Sequence, residues 1–141
     1  MSSGKFARDK GQRGEREAIA VLQPVVNEVY KAMAKVPPEL ARNLSQTRNG
    51  GFDIEGLEWI ALEIKRHETT QLSQWWAQTK SQAGSERVPV LMWRKNGGKW
   101  SVRMFGFLDA GGLRVRCPVD ISIDAFLVYF KESLQHRLRT A

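Results

Sequence analysis

Asp53, Glu63 and Lys65 have the residue types and the spacing to perform chemistry, and they lie together in the segment GGFDIEGLEWIALEIKR. Two neighbouring carboxylates favour a hard divalent cation, because such ions prefer oxygen ligands. An amine beside them can hold a metal-bound water and help to deprotonate it. The three residues therefore predict a site for Mg²⁺, with Mn²⁺ as a substitute. The alternative is an ordinary strand that ends in a solvated Glu-Lys pair.

The same segment predicts the hairpin that would bring these side chains together. Short apolar runs lie on both sides of Gly56, which is typical of an antiparallel hairpin. The predicted register pairs two sets of apolar residues on one face, Ile54 with Leu62 and Phe52 with Ile64. Asp53 and Glu63 then lie directly opposite each other on the other face, and Lys65 points the same way. Opposed carboxylates repel, which is a further reason to expect a cation.

A third acid is predicted at the start of a long amphipathic helix. From Glu15 onward, apolar residues recur at helical spacing. At about 100° per residue, Glu15 falls within the apolar stripe, whereas Arg16 and Glu17 fall outside it. Glu15 is therefore expected to point inward, and a first-turn acid that interacts with the helix dipole is the alternative. Pro24 predicts a kink or two abutting helices.

Three features of the sequence resemble the PD-(D/E)xK nuclease superfamily: KGQRGERE at the opening of the helix, an Asp after a glycine pair, and Glu-Ile-Lys in an apolar strand. The similarity covers roughly residues 10–94 and points to archaeal-type Holliday-junction resolvases, in the form that phages encode. It implies a restriction-endonuclease-like fold and a Mg²⁺-dependent phosphodiester hydrolase. It also implies the site residues, namely Glu15, Asp53, Glu63 and the backbone carbonyl of Ile64 as metal ligands, and Lys65 as the residue that assists the attacking water.

Other residues near this motif are interpreted by comparison with the family or from their residue types. Phe52 stands where the superfamily's name expects Pro, and the stretch between the helix and Asp53 is longer than in the archaeal enzymes. Gln78 lies on the following helix, where many of these nucleases place a polar residue that faces the active site, so it is a further catalytic candidate; a plain surface glutamine is the alternative. Trp75 and Trp76 are interpreted as one buried and one rim aromatic, with base stacking at a branch point as the alternative.

The charge of the chain predicts a polyanionic partner. Among 141 residues, 22 Lys and Arg face 15 Asp and Glu, which gives a formal net charge of +7. Residues 1–14 have the composition of a flexible basic arm. Arginines near the acids are interpreted as phosphate clamps, and the basic residues of the arm as contacts to the DNA backbone. The candidate DNA-binding residues are Lys5, Arg8, Lys10, Arg13, Arg16 and Arg48.

The remaining pattern predicts one α/β nuclease domain over residues 15–141. The expected elements after the hairpin are a helix over about 73–83 ended by Gly84, strands over 88–94 and 99–107, a short strand over 113–117, and a helix over about 124–138. Without the short strand over 113–117, the predicted order is α-β-β-α-β-β-α, which implies a central mixed sheet flanked by helices. No apolar run is long enough to span a bilayer and no signal-peptide centre is present, so we expect a cytoplasmic protein, in the bacterial host if a phage encodes it.

Together these features predict a metal-dependent, structure-selective endonuclease that resolves four-way DNA junctions. A junction is two-fold symmetric and needs two nicks, so a homodimer is expected. Two alternatives stay open. One is another PD-(D/E)xK nuclease for repair or DNA degradation that uses the same residues, and the other is a non-catalytic basic DNA-binding module. Three acids close to the phosphates would weaken a surface that only binds DNA, which favours the nucleases.

Overall fold

A computed structural model describes the backbone of residues 2–44, 52–67 and 70–141, and the side chains of the same ranges from residue 12 onward. This part of the chain contains three helices and six strands. They are α1 Ser2–Ala32, β1 Ala41–Arg42, β2 Ile54–Glu55, β3 Ile60–Arg66, α2 Leu72–Ala83, β4 Val88–Arg94, β5 Ser101–Ala110, β6 Leu113–Ser122 and α3 Ile123–Thr140. None of the helices that the structure describes combines the length and the apolarity needed to cross a membrane.

The strands form one mixed sheet whose spatial order, β1 to β6, follows the order of the chain. Neighbouring strands are antiparallel except β3 and β4, which are parallel. A parallel connection needs a crossover, and α2 supplies it. The carboxyl ends of β3 and β4 therefore lie side by side at one edge of the sheet.

The two faces of the sheet are covered by different helices. α1 and α3 pack on the face that forms the main core, and the core side chains of β3 and β4 are Ile60, Leu62, Ile64, Val90 and Met92. α2 packs on the opposite face, where Trp75 and Trp76 contact Leu91. Because side chains alternate along a strand, Glu63 and Lys65 lie on the face that α2 covers.

The outer end of the β5–β6 hairpin extends beyond the helices. We call residues 106–117 the outer hairpin; it begins where Gly106 pairs with Cys117. Four of its large apolar side chains are exposed, namely Phe107, Leu108, Leu113 and Val115. Three of these, Leu108, Leu113 and Val115, lie on the same face as the buried Val102 and Met104 nearer the base of the hairpin. One face of the outer hairpin is thus apolar but uncovered in the isolated chain.

The predicted fold class is confirmed, and the predicted order of elements is wrong. The structure is a single α/β domain with a mixed sheet and flanking helices, whereas its order is α-β-β-β-α-β-β-β-α. The sequence does not reveal β1, because two residues carry no recognisable alternation. β6 continues from residue 113 to 122 rather than to 117, because a proline such as Pro118 is tolerated in an edge strand. The restriction-endonuclease-like fold stays a prediction.

The helices agree with the sequence in the second half of the chain more closely than in the first. α2 ends at Gly84, which has φ of 62°, and α3 begins where Ser122 Oγ accepts the Ala125 N–H at 3.1 Å. α1 begins at Ser2 rather than Glu15, so the backbone of the predicted arm is helical from residue 2, and it runs through Pro24 as one helix instead of two. The division into an arm, 1–14, and a nuclease domain, 15–141, stays a prediction.

Candidate active site

The hairpin between β2 and β3 has the predicted register at its centre. Ile54 pairs with Leu62. The Asp53 N–H donates to the Leu62 carbonyl at 2.8 Å, and the Asp53 side-chain Oδ2 accepts the Ile64 N–H at 2.6 Å. The Asp53 carboxylate therefore accepts the hydrogen bond that a backbone carbonyl would accept if the ladder continued. This bond fixes the carboxylate against β3, the strand that carries Glu63.

Phe52 departs from the predicted register. The sequence predicts that it pairs with Ile64 on the main core face, but it packs with Ala61 and Ala83 on the side of α2. The ladder ends because β2 comprises Ile54 and Glu55 and the backbone bends at Asp53. The strict alternation of a longer strand is therefore lost before Phe52.

Glu63 lies at the centre of the site and is almost completely buried, with 2% of its surface exposed. Burial is the main cause that raises its pKa to about 8, and the nearby Asp53 and Glu15 carboxylates contribute in the same direction. Lys65 acts in the opposite direction, since its Nζ lies 3.8 Å from Glu63 Oε2. Glu15 from α1, Asp53 from the residue before β2 and Glu63 from β3 thus share one electrostatic environment with Lys65.

Glu15 reaches this environment from α1. Its side chain is largely buried, as the helical stripe predicts, and its Oε1 accepts a hydrogen bond from Arg42 Nε at 2.8 Å. Arg42 lies in β1, opposite Ile54. The ion pair therefore ties the first helix to the strand that leads to Asp53.

Asn43 is a second residue near the site that the sequence analysis missed. It is buried, its N–H donates to the Asp53 carbonyl at 2.8 Å, and its Nδ2 donates to the Phe52 carbonyl at 2.9 Å. These bonds hold the bend that aims Asp53 at β3. Neither Arg42 nor Asn43 stands in a pattern from which this role could be recognised, because β1 has two residues.

The other predicted site residues are placed less centrally. Gln78 is exposed on α2, the helix that covers the Glu63 face. Trp75 and Trp76 are both buried, at 7% and 5% exposure, so the prediction of one buried and one rim tryptophan is wrong. The indole of Trp76 packs edge-on to Phe105, at 5.2 Å between ring centres, because the long β5 strand passes beside α2. Neither indole is accessible for stacking on a base.

The predicted DNA-binding residues fall into three groups. Arg13 and Arg16 are exposed on α1. Lys5, Arg8 and Lys10 have a helical backbone in α1, and their side chains lie outside the described residues. Arg48 also lies outside them. The role of all six in binding DNA stays a prediction.

The chemistry of the site can be compared with the needs of a divalent cation. Within residues 12–44, 52–67 and 70–141, no group of three or more His, Cys, Asp or Glu side chains is arranged as a metal site. The donor types nevertheless fit Mg²⁺ or Mn²⁺, because Glu15, Asp53 and Glu63 supply carboxylate oxygens to a largely water-free environment. Burial and, after it, the repulsion from Asp53 and Glu15 raise the pKa of Glu63, and a divalent cation would relieve that repulsion. The carbonyl of Ile64 stays a predicted ligand.

Comparisons with protein-family models, with curated proteins and with solved structures found no match to this chain. The resemblance to the PD-(D/E)xK nucleases therefore stays a prediction from the sequence.

Proposed function

We propose that this protein is a metal-dependent, structure-selective DNA endonuclease, a Holliday-junction resolvase that hydrolyses phosphodiester bonds at four-way junctions. The observation that supports the proposal best is the shared environment of Glu15, Asp53, Glu63 and Lys65, in which a buried carboxylate has a pKa of about 8. Buried carboxylates with strongly shifted pKa values and a specific charge partner are typical of catalytic sites. The positive net charge suits a DNA substrate.

Each side chain has a distinct role in the proposed reaction. Asp53, Glu63 and Glu15 would hold Mg²⁺ or Mn²⁺, with the Ile64 carbonyl as a further ligand. When bound, the ion would stabilise the negative charge that develops on the phosphate and lower the pKa of its water. Lys65 Nζ, close to Glu63 and partly exposed, can orient the attacking water and hold or release a proton at that atom.

Neighbouring residues would keep these groups in place. Asp53 is fixed by the Ile64 N–H, which donates to its carboxylate, and by the Asn43 N–H, which donates to its carbonyl. Glu15 is fixed by Arg42. A carboxylate held before the reaction needs no reorganisation when charge develops, which is the main source of electrostatic catalysis.

We also propose a homodimer, with the apolar face of the outer hairpin as its interface. That face continues the apolar surface of the core to Leu108, Leu113 and Val115, as expected for contacts between copies of one chain. The charged residues of β6, namely Arg114, Arg116 and Asp120, alternate with the residues of this face and lie on the opposite one. The proposed interface therefore contains no charge of β6, and two copies related by a two-fold axis can bury it against each other.

A cleavage assay tests the proposed activity. The wild type is incubated with a synthetic four-way junction, a linear duplex and a single strand, each with Mg²⁺, Mn²⁺ or EDTA. Glu63→Gln and Lys65→Ala are compared with Glu132→Gln, a matched change of an exposed glutamate on α3. Paired symmetric nicks on the junction, lost in EDTA and in the two site variants but kept in Glu132→Gln, are the expected result. Cutting of every substrate would favour another nuclease of the superfamily, and DNA binding without cutting in either metal would refute the enzyme.

A further inference from the structure

Four basic residues meet at the carboxyl ends of the two parallel strands. Arg66 ends β3 and Arg94 ends β4, and the two are paired across the sheet. Lys95 follows Arg94, and Lys99 lies at the other end of the short turn that leads to β5. We call these four residues the basic edge. In open α/β sheets, ligands bind outside the carboxyl ends of parallel strands.

A cavity of about 240 Å³ opens at this edge. Among the residues that the structure describes, its lining includes one arginine, two lysines and one serine, and no acidic residue. The lining residues are Trp93, Arg94, Lys95, Gly98, Lys99 and Ser101. A concave site that offers positive charge and hydrogen-bond donors of this kind is suited to an anion, and above all to a phosphate.

The guanidinium of Arg94 is held in place before any ligand arrives. Glu17 on α1 lies 2.6 Å from Arg94 and 3.3 Å from Arg66, so one carboxylate serves two guanidiniums and leaves one positive charge in excess. The Arg94 guanidinium also lies over the ring of Trp100, at 5.3 Å from its centre. A side chain that is already ordered loses less conformational entropy when it binds.

The turn between the two lysines permits close approach of a ligand. Gly97 has φ of 71°, and no described atom lies within 4 Å of the position that a Cβ would take there. The Gly98 N–H closes the turn on the Lys95 carbonyl at 2.9 Å. Both lysines are exposed on this compact turn, so their ammonium groups can reach a phosphate chain that passes the edge.

The basic edge is adjacent to the candidate active site. Lys65 pairs with Trp93 across β3 and β4, and Trp93 lines the cavity. If a phosphate of the DNA lies at Lys65, the cavity therefore lies one β-strand away, at β4 and towards β5.

We propose that the basic edge binds the phosphodiester backbone of DNA, with Lys95 and Lys99 in direct contact with phosphates and Arg94 held in position by Glu17 and Trp100. The inference rests on the proposed nuclease function for its choice of DNA as the ligand. It assigns the substrate contact to the β4–β5 turn, in addition to the candidates on α1.

The test is the salt dependence of DNA binding in EDTA, where cleavage cannot interfere. Fluorescence anisotropy with a labelled duplex of about 25 base pairs is measured over a series of KCl concentrations, for the wild type and for Lys95→Gln/Lys99→Gln. Each lysine–phosphate contact contributes about 0.9 to the slope of log Kd against log salt, so the slope is expected to fall by about 2. The matched control is Lys31→Gln/Lys35→Gln, which removes the same charge from exposed lysines near the carboxyl end of α1 and is expected to leave the slope unchanged.

The possible outcomes separate this inference from the proposed function. Equal losses in both double variants would mean that net charge alone matters, and would overturn the inference. An unchanged slope in Lys95→Gln/Lys99→Gln, or no DNA binding by the wild type at low salt, would overturn it as well. A reduced slope in that variant alone supports it even if the wild type cuts no DNA, because binding is measured without metal. Competition by inorganic phosphate at concentrations near those of duplex phosphate would assign the site to free phosphate and contradict the DNA assignment.

Discussion

Glu63 and the outer hairpin both depart from the rule that polar groups are exposed and apolar groups are buried. Glu63 is a polar group that is buried, and the outer hairpin carries apolar groups that are exposed. Glu63 is a carboxylate with 2% of its surface exposed, whereas Leu113 is a leucine with 71% exposed. Each arrangement is unfavourable for the isolated chain, because burial penalises a charge and water penalises an apolar surface. Such departures are expected at functional sites. A cation would relieve the first, and an apolar partner would relieve the second.

The two regions differ because of what surrounds them. β3 has a strand on each side and α2 over the face that carries Glu63, so water is excluded from the carboxylate. Beyond Gly106, β5 and β6 pair with each other, and the large apolar side chains there are exposed. The same alternating pattern therefore produces a dry face in one region and an exposed face in the other.

The largest effect is expected from Glu63→Gln, which tests whether the buried charge serves catalysis. If Glu63 is a metal ligand as proposed, the variant should lower the rate of junction cleavage by more than about 100-fold, which corresponds to about 2.7 kcal/mol of transition-state stabilisation. The same variant should be more stable to urea than the wild type above pH 8, because a buried charge is removed. A variant that loses activity and stability together would show that Glu63 is a structural residue.

The pH dependence of unfolding tests the same charge without a mutation. Glu63 has a pKa of about 8 in the folded protein against 4.5 as the reference value. The unfolded chain therefore loses this proton at lower pH than the folded chain, and the contribution to stability is present below pH 4.5 and lost as the pH rises to about 8. The expected loss is on the order of a few kcal/mol. Urea titrations of the metal-free protein measure it, and Glu63→Gln should show a smaller change over that range; an identical change in both proteins would contradict the assignment.

A third expected effect concerns Asn43, which holds the backbone at Phe52 and Asp53 by hydrogen bonds. Asn43→Ala removes the donor to the buried Phe52 carbonyl, and an unpaired buried acceptor costs about 1 to 3 kcal/mol. Chemical denaturation measures this loss. Asn27→Ala, a change of a partly buried asparagine on α1 that accepts a hydrogen bond from Gln23, is the control and should cost less. Equal losses in both variants would mean that Asn43 has no special role.

The smallest effect on folding is expected in the outer hairpin, where the effect on self-association is what matters. Leu108→Ser/Val115→Ser should change the free energy of unfolding of the monomer by less than about 1 kcal/mol, because a substitution of an exposed side chain usually costs up to about 0.5 kcal/mol. Sedimentation equilibrium should show dimerisation weakened by at least about 10-fold, the effect of losing roughly 1.4 kcal/mol of binding free energy. Val36→Ser/Val128→Ser, a matched change of two exposed valines elsewhere, should leave it intact. A wild type that is monomeric at high concentration would refute the proposed interface.

The sequence is most informative where contacts are local and periodic. The pairing of Ile54 with Leu62, the inward position of Glu15 and the ends of α2 and β4 all follow from spacing and from one glycine, and the structure confirms them. The sequence pattern places Phe52 on the wrong face of the sheet. The cause is the bend at Asp53, which is held by hydrogen bonds from Asn43, a residue that directly follows β1. The burial of Trp75 and Trp76 depends on contacts with β4 and β5 that no local pattern encodes.

The agreement between chain order and strand order has a consequence for how the molecule folds. The hairpins β2–β3, β4–β5 and β5–β6 close short loops, whereas the parallel pairing of β3 with β4 must wait for the crossover through α2. Asp53 and Glu63 meet within one hairpin, so their contact is expected early in folding. The basic edge forms only when β3 and β4 pair, so we expect it to form in the late, rate-limiting step of folding.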